Sequence, residues 1–382
     1  MPAAPWQPSA LTAEPLVQLV DHAGQRRVDD VSAPYEPLAR ALDADALRTF
    51  YRDMTLTRRF DEESTSLQRQ GELALFTQSK GQEAAQIGSA HAMRPQDWAF
   101  PAYREHGVLL VRGVPLRQEL HLFRGIDHGG WDTEQHRVHL NTLVIGSHAL
   151  HATGYAMGMS RDGLVGTGDP TKDEATVVYF GDGATSQGDV SEAFNFAAVN
   201  QAPIVFFCQN NQWAISVPGE LQYRGPLSRR GEGFGVPGVR VDGNDALAVY
   251  AVTKTALDKA RAGGGPTLIE AVTFRRGAHT TSDDPTRYRS ETEEKYWAER
   301  DPIDRIVALL KAEGAWSDSF AARVQAEGDE FADELRTYVR SLGRPDPMTM
   351  FDNVYTTPHA INEAEREWMR QYDASFKKGG SR

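Results

Sequence analysis

Cysteine is nearly absent, with a single residue, Cys208, among 382. One thiol excludes an intramolecular disulfide framework and fits a reducing compartment. No apolar run approaches the roughly 20 residues that cross a bilayer, and stretches such as 203–208 (PIVFFC) stop early. Cations are in deficit, 41 Lys and Arg against 53 Asp and Glu for a net charge of −12. That balance argues against nucleic acid as a main partner, because phosphate-backbone binding needs clustered cations. Internal repeats and low-complexity segments are also lacking. The N-terminus has no apolar signal core and is not acid-poor, since it carries Glu14, Asp21, Asp29 and Asp30. The expectation is a cytoplasmic chain without nucleic-acid or membrane partners. What is present is an ordinary globular composition, 40% hydrophobic and 25% charged, long enough for one large domain or two modest ones.

Residues 1–42 alternate Pro, Ala and polar residues without a sustained period and predict an extended arm, with a short strand pair near 16–20. From Asp43, a candidate cap, Leu47, Phe50, Tyr51, Met54 and Leu56 follow helical spacing. Further helices are expected over 82–93, 105–112 and 115–124, then a mobile loop over 125–141. The centre changes character. Short apolar strands are predicted at 175–180, 203–208, 239–241 and 267–274, with helices at 190–200 and 246–261 between them. This alternation implies an α/β fold, a central parallel sheet with helices on both faces. The main domain is expected over 43–345, with a helical tail over 346–382 and a last helix near 362–376.

In open parallel sheets, ligands bind beyond the carboxyl ends of the strands. Two such ends carry unusual residues here: Gly181-Asp182-Gly183-Ala184, and Asn210-Asn211-Gln212-Trp213-Ala214. The 26 residues 184–209 between them suffice for a turn, a crossover helix and a return strand, so Asp182 and Asn211 are expected at the ends of neighbouring strands. A carboxylate and an amide oxygen are hard donors suited to Mg²⁺ rather than Zn²⁺. The glycines let backbone approach a diphosphate closely. Alone, Gly-Asp-Gly is most often a turn; paired with Asn-Asn at this spacing it points to a metal site.

The sequence resembles a known family over residues 45 to beyond 340. The likeness lies in Pro101-Ala102-Tyr103-Arg104-Glu105-His106-Gly107, in 181–216, in Val241-Asp242-Gly243-Asn244-Asp245 and in 277–290 (GAHTTSDDPTRYRS). The family is the alpha subunit of the thiamine-diphosphate-dependent decarboxylating component of 2-oxo acid dehydrogenase complexes. Phe206-Phe207-Cys208 before the asparagines, Ala214-Ile215-Ser216 after them and Thr281-Ser282-Asp283-Asp284 are more similar to branched-chain members than to pyruvate ones. The resemblance implies the thiamine-diphosphate-binding fold, with Asp182, Asn211 and the Trp213 carbonyl holding Mg²⁺. It also implies Tyr103 and Arg104 on the diphosphate, and Gly181, Gly183 and Ala184 lining it through the backbone. Leu143 and Ile145 would support the pyrimidine and shape the acyl pocket. His279 would face cofactor and substrate carboxylate, and Tyr288 and Arg289 would order the loop around it. The implied reaction decarboxylates a small 2-oxo acid and passes the acyl group to lipoyl on an acyltransferase partner. The activating glutamate has no place in this chain, and in the family it comes from a beta subunit, two alpha chains joining two beta.

Some positions depart from that pattern. Gln209 stands where some relatives place an arginine on the diphosphate, His148 where a glutamine is common near a monovalent ion, and Ala102 where some have a polar residue. Thr280 follows His279 where regulated relatives carry a phosphorylated serine. Outside the family, His136-x-x-His139 has zinc-like spacing but no acidic partner. Cys208, within an apolar strand, reads as packing. A nicotinamide-dependent dehydrogenase would need an early Gly-x-Gly-x-x-Gly, which is missing. A pyruvate-specific subunit is the alternative within the family.

Overall fold

Five short apolar segments assemble into one parallel sheet in the computed structural model, which describes residues 15–127, 130–343 and 346–377. They are β1 (Trp98–Phe100), β2 (Thr176–Gly181), β3 (Ile204–Asn210), β6 (Gly238–Asp242) and β7 (Thr267–Val272), with β4 (Trp213–Ala214) and β5 (Val217–Pro218) forming a separate antiparallel pair. The sheet order is β1-β2-β3-β7-β6, and all neighbours run parallel. Helices α1 (Glu36–Arg40), α2 (Ala44–Arg69), α3 (Glu83–His91), α4 (His106–Val111), α5 (Leu116–Arg124) and α6 (Thr133–His136) come before β2. So does α7 (Ser147–Arg161). After β2 come α8 (Gly188–Val199), α9 (Ala246–Arg261), α10 (Glu291–Ala298), α11 (Pro302–Ala312) and α12 (Asp318–Ser341), and α13 (Ala360–Lys377) is last.

Alternation along the strands divides the core. Val177 and Tyr179 of β2 and Val205 and Phe207 of β3 pack with α2, α3, α9 and α11. Val178, Phe180, Ile204, Phe206 and Cys208 pack on the other face with α7 and α8. Both faces are therefore covered, which is why these strands are mainly apolar. Among the described residues no helix is long and apolar enough to cross a membrane.

The differences from expectation have local causes. β3 runs on to Asn210 because Gln209 and Asn210, although polar, find buried partners in Glu105 and Glu270, each 2.7 Å away. β1 is too short to show a period, and α7 turns small Ala residues rather than an apolar stripe toward the sheet. The segment expected as a mobile loop over 125–141 is corrected, apart from 128–129, which lie outside the described residues. Asp132 caps α6, Val138 bridges to Ala99, and the Trp131 indole donates to the Val138 carbonyl at 3.0 Å.

Of the expected arm, residues 1–14 lie outside the described residues. The strand pair near 16–20 takes the form of isolated bridges, Val17 beside Val241 and Val20 beside Arg26. Asp245 holds this segment: one carboxylate oxygen accepts from the Leu19 and Val20 amides at 2.7 Å while the other caps α9. The chain divides into two units, Met1–Val339 and Arg340–Arg382. In the second, a turn at Pro347–Phe351 precedes α13, and the Asn362 amide donates to the Phe351 carbonyl at 3.1 Å. The expected boundary residue 345 is outside the described residues.

Candidate active site

Because β2 and β3 pair with Gly181 beside Gln209, their carboxyl ends deliver Asp182 and Asn211 to the same place. Asp182 is buried, and neither carboxylate oxygen has a well-formed hydrogen bond. Burial pushes its carboxyl up to about 6, offset partly by its own amide, Arg275, the Asn211 amide and the Gln222 side chain nearby. A buried carboxylate left this bare is unfavourable unless something cationic completes it. Asn211 is also buried. Its side chain donates to Gln82 at 3.0 Å and its amide oxygen accepts from the Trp213 backbone at 3.2 Å. Gly183 approaches Ala214 so closely that a Cβ there would lie 2.8 Å from the Ala214 Cβ, which is why a glycine stands there.

These groups line a cavity of about 260 Å³. Its cations are Arg104 and Arg275. Arg104 donates to the Gln78 carbonyl and, at 2.9 Å, to the His279 carbonyl. Arg275, fully buried, donates to the Trp213 carbonyl at 3.3 Å and to the Ile215 carbonyl at 2.7 Å. Burial and the neighbouring Arg104 lower its guanidinium to about 10. The His279 Nδ1 lies 3.3 Å from both guanidinium groups, so it accepts and Nε2 carries the proton. Burial and those two cations lower the imidazole to about 3, so His279 is neutral at physiological pH. Glu105 forms a further buried wall; burial pushes its carboxyl up to about 7, although the Arg104 and Ala102 amides donate to it.

Of the residues singled out from sequence, Tyr103, Arg104, Ile145, Gly181, Asp182, Gly183, Ala184, Asn211, Trp213 and His279 all line this cavity. Leu143 does not, and its side chain is half exposed. Tyr288 and Arg289 stand behind the wall. The Tyr288 hydroxyl donates to Asp283 and accepts from Arg275 at 3.1 Å, and Arg289 donates to the carbonyls of Arg275, Arg276 and Gly277. Gln209 is tied to Glu105 and Gln86 and brings no cation. His148 donates through Nε2 to the Tyr179 carbonyl at 2.7 Å, and His139 stacks on Phe100. Sequence reasoning missed Arg275, Glu105 and Gln82 as cavity residues. Arg275 had a signal, since it directly follows the apolar run 267–274 whose strand ends beside β3.

Comparison with known proteins identifies the family. The dehydrogenase E1 component family profile matches residues 51–346. The chain is 47% identical over 332 residues, 87% of its length and 88% of the relative's, to the 3-methyl-2-oxobutanoate dehydrogenase subunit alpha of Mycobacterium tuberculosis. It is 40% identical over 294 residues (76% and 83% of the two chains) to a pyruvate dehydrogenase E1 component subunit alpha from Acholeplasma laidlawii. The protein of that name from Staphylococcus aureus is 37% identical over 305 residues, covering 79% and 78%.

Proposed function

We propose, since the chain belongs to the dehydrogenase E1 component family, that it is the alpha subunit of a branched-chain 2-oxo acid dehydrogenase. Its substrates are of the 3-methyl-2-oxobutanoate type, its cofactors thiamine diphosphate and Mg²⁺. The observation that carries the reading is the bare, buried Asp182 carboxylate beside Asn211 at adjoining strand ends, next to the cationic Arg104. The relative from Mycobacterium tuberculosis supports the branched-chain choice over pyruvate.

The donor set fits the cofactor. Asp182, the Asn211 amide oxygen and the Trp213 carbonyl are hard oxygen donors for Mg²⁺. The Trp213 carbonyl accepts from Arg275, and a carbonyl oxygen has two lone pairs. Arg104 and Tyr103 would hold the diphosphate, and Gly181, Gly183 and Ala184 would admit it against the backbone. Ile145 would support the pyrimidine, with Leu143 on the same segment. Thiamine diphosphate, when bound, supplies the nucleophilic carbon and the electron sink for decarboxylation.

His279, neutral with its proton on Nε2, donates to the substrate carboxylate or to the oxygen that gains charge. Burial, with Arg104 and Arg275 beside it, keeps it neutral, so it acts as a neutral hydrogen-bond donor. Tyr288 and Arg289 position its loop. The activating glutamate is supplied by a beta subunit, in an assembly of two alpha and two beta chains in the cytoplasm. The acyl group passes to lipoyl on an acyltransferase component. Dye-coupled decarboxylation by the alpha–beta assembly tests this. The expected kcat/KM is higher for 3-methyl-2-oxobutanoate than for pyruvate. The reverse order assigns the pyruvate role, and no turnover of either sinks the reading.

A further inference from the structure

His106 is used by none of the chemistry above, yet it is the most constrained histidine near the cavity. It opens α4 and is fully buried. Its Nδ1 lies 2.9 Å from both carboxylate oxygens of Glu119, and its Nε2 lies 2.7 Å from the Thr77 carbonyl. Both ring nitrogens therefore face acceptors, and both carry protons. The ring stacks on Phe76 at 5.1 Å and meets Phe60 and Phe123 edge-on. An apolar side chain would fill such an aromatic box without desolvating a charge, so the pair needs another explanation.

Two chains of contact leave this ring, and both end at the cavity. Through Thr77 it holds residues 76–78. The Thr77 hydroxyl donates to the Tyr103 carbonyl at 2.7 Å and the Gln78 carbonyl accepts from Arg104. Phe76 pairs through its backbone with Thr281, its amide donating to the hydroxyl at 3.1 Å and its carbonyl accepting from the amide at 2.9 Å. Thr281 is two residues from His279. Through Glu119 the ring holds Asn141, whose side chain donates to the same carboxylate at 2.9 Å. The next amide, Thr142, donates to the Ala102 carbonyl at 3.0 Å, and the segment continues to Ile145 in the cavity lining.

We propose that His106 is a positioning residue that, through its two ring nitrogens, holds two walls of the cavity in one register: Tyr103, Arg104 and the His279 loop on one, the Ile145 segment on the other. The assignment of each wall to a ligand rests on the proposed function; the register itself does not.

The two arms make the test specific. In the alpha–beta assembly, Thr77→Val removes only the hydroxyl on Tyr103 and is expected to weaken thiamine diphosphate binding with Mg²⁺ by about tenfold, leaving the KM for the 2-oxo acid within about twofold. Asn141→Ala is expected to do the opposite, raising that KM by about tenfold with cofactor affinity kept. His106→Gln reaches one acceptor but not both, and is expected to move both readouts. His106→Gln combined with Glu119→Gln keeps the test alive if the single variant fails to fold, because it removes the stranded carboxylate. Both single-arm variants moving affinity and KM together, in step with the melting temperature, would show a merely structural role and overturn the proposal. Hydrogen exchange on the unliganded chain separates this from the function itself. The His106 variants should lose amide protection selectively over 76–79 and 141–146. Protection unchanged there, or lost evenly along the chain, contradicts the proposal, whereas a wild-type protein that binds no thiamine diphosphate refutes only the proposed function.

Discussion

Replacing Asp182 with asparagine is expected to make the cofactor-free chain more stable while removing its function. Burial holds this carboxyl at about 6 against an ordinary 3.8. Because the folded value is raised, the folded state favours the protonated form. The penalty is absent below about pH 4, grows through the interval, and is complete above about pH 6. The gap corresponds to roughly 3 kcal/mol. An asparagine in the same place leaves an amide N–H without an acceptor, which costs about 1 kcal/mol, so the net gain is about 2 kcal/mol. At about 2.1 cal/mol/K per residue over 382 residues, melting entropy is roughly 0.8 kcal/mol/K, and the gain appears as a rise of about 2–3 °C. Thermal unfolding of the full chain without metal, at pH 7.5 and again near pH 4.5, reads this directly. The variant should melt higher at the first pH and nearly level at the second. Thiamine diphosphate and Mg²⁺ at about 100 times Kd should then lift the wild-type protein by about 2.7 kcal/mol and the variant hardly at all, reversing the order. A variant no more stable than wild type at pH 7.5 would refute the claim that Asp182 is an incompletely compensated buried charge.

Other outcomes are open to measurement. His279→Ala should lower turnover by about 100-fold or more while leaving calorimetric cofactor affinity within a few-fold. Gly183→Ala should cost roughly 1–3 kcal/mol by urea unfolding and weaken cofactor binding, since the new Cβ would lie 2.8 Å from the Ala214 Cβ. The imidazole of His106 is raised to about 9: burial would lower it, but the charge and hydrogen bond of Glu119, the nearby Asp61 and the Thr77 carbonyl outweigh that. Its contribution to stability should be complete below the unfolded value of about 6.5 and be lost as pH rises through 9. The stability gap between wild type and His106→Gln should therefore narrow between pH 7 and pH 10, and a gap that is constant or widens would contradict a charged His106.

Strands β2, β3 and β7 were legible because each is dominated by apolar and β-branched residues, as a doubly covered parallel strand requires, with Glu270 the polar interruption in β7. Helix α9 was legible to its last residue, Ala246–Arg261, since Asp245 caps it and glycines follow. Strand β1 was not, because three residues carry no period, and nor was α7, whose buried face is mostly small residues, Ala149, Ala152, Thr153 and Ala156. The strand-end residues of the cavity stood out through their chemistry and their resemblance to a family. Arg275 did not, because its purpose depends on carbonyls at Trp213 and Ile215, far away in sequence. Glu105 was hidden for a different reason: a carboxyl beside a diphosphate site looks unfavourable until its buried, amide-bonded setting is seen. The roles of His106, Glu119 and Asn141 likewise exist only once α4, α5 and the segment after α6 are packed together.

Calorimetric titration of thiamine diphosphate into the alpha–beta assembly, with Mg²⁺ and again with the metal chelated, tests the central claim most directly when wild type is compared with Asp182→Ala. Saturable binding by the wild-type assembly that disappears on chelation, and that Asp182→Ala abolishes, is the predicted result. Equal affinity and equal metal dependence in the variant would contradict it.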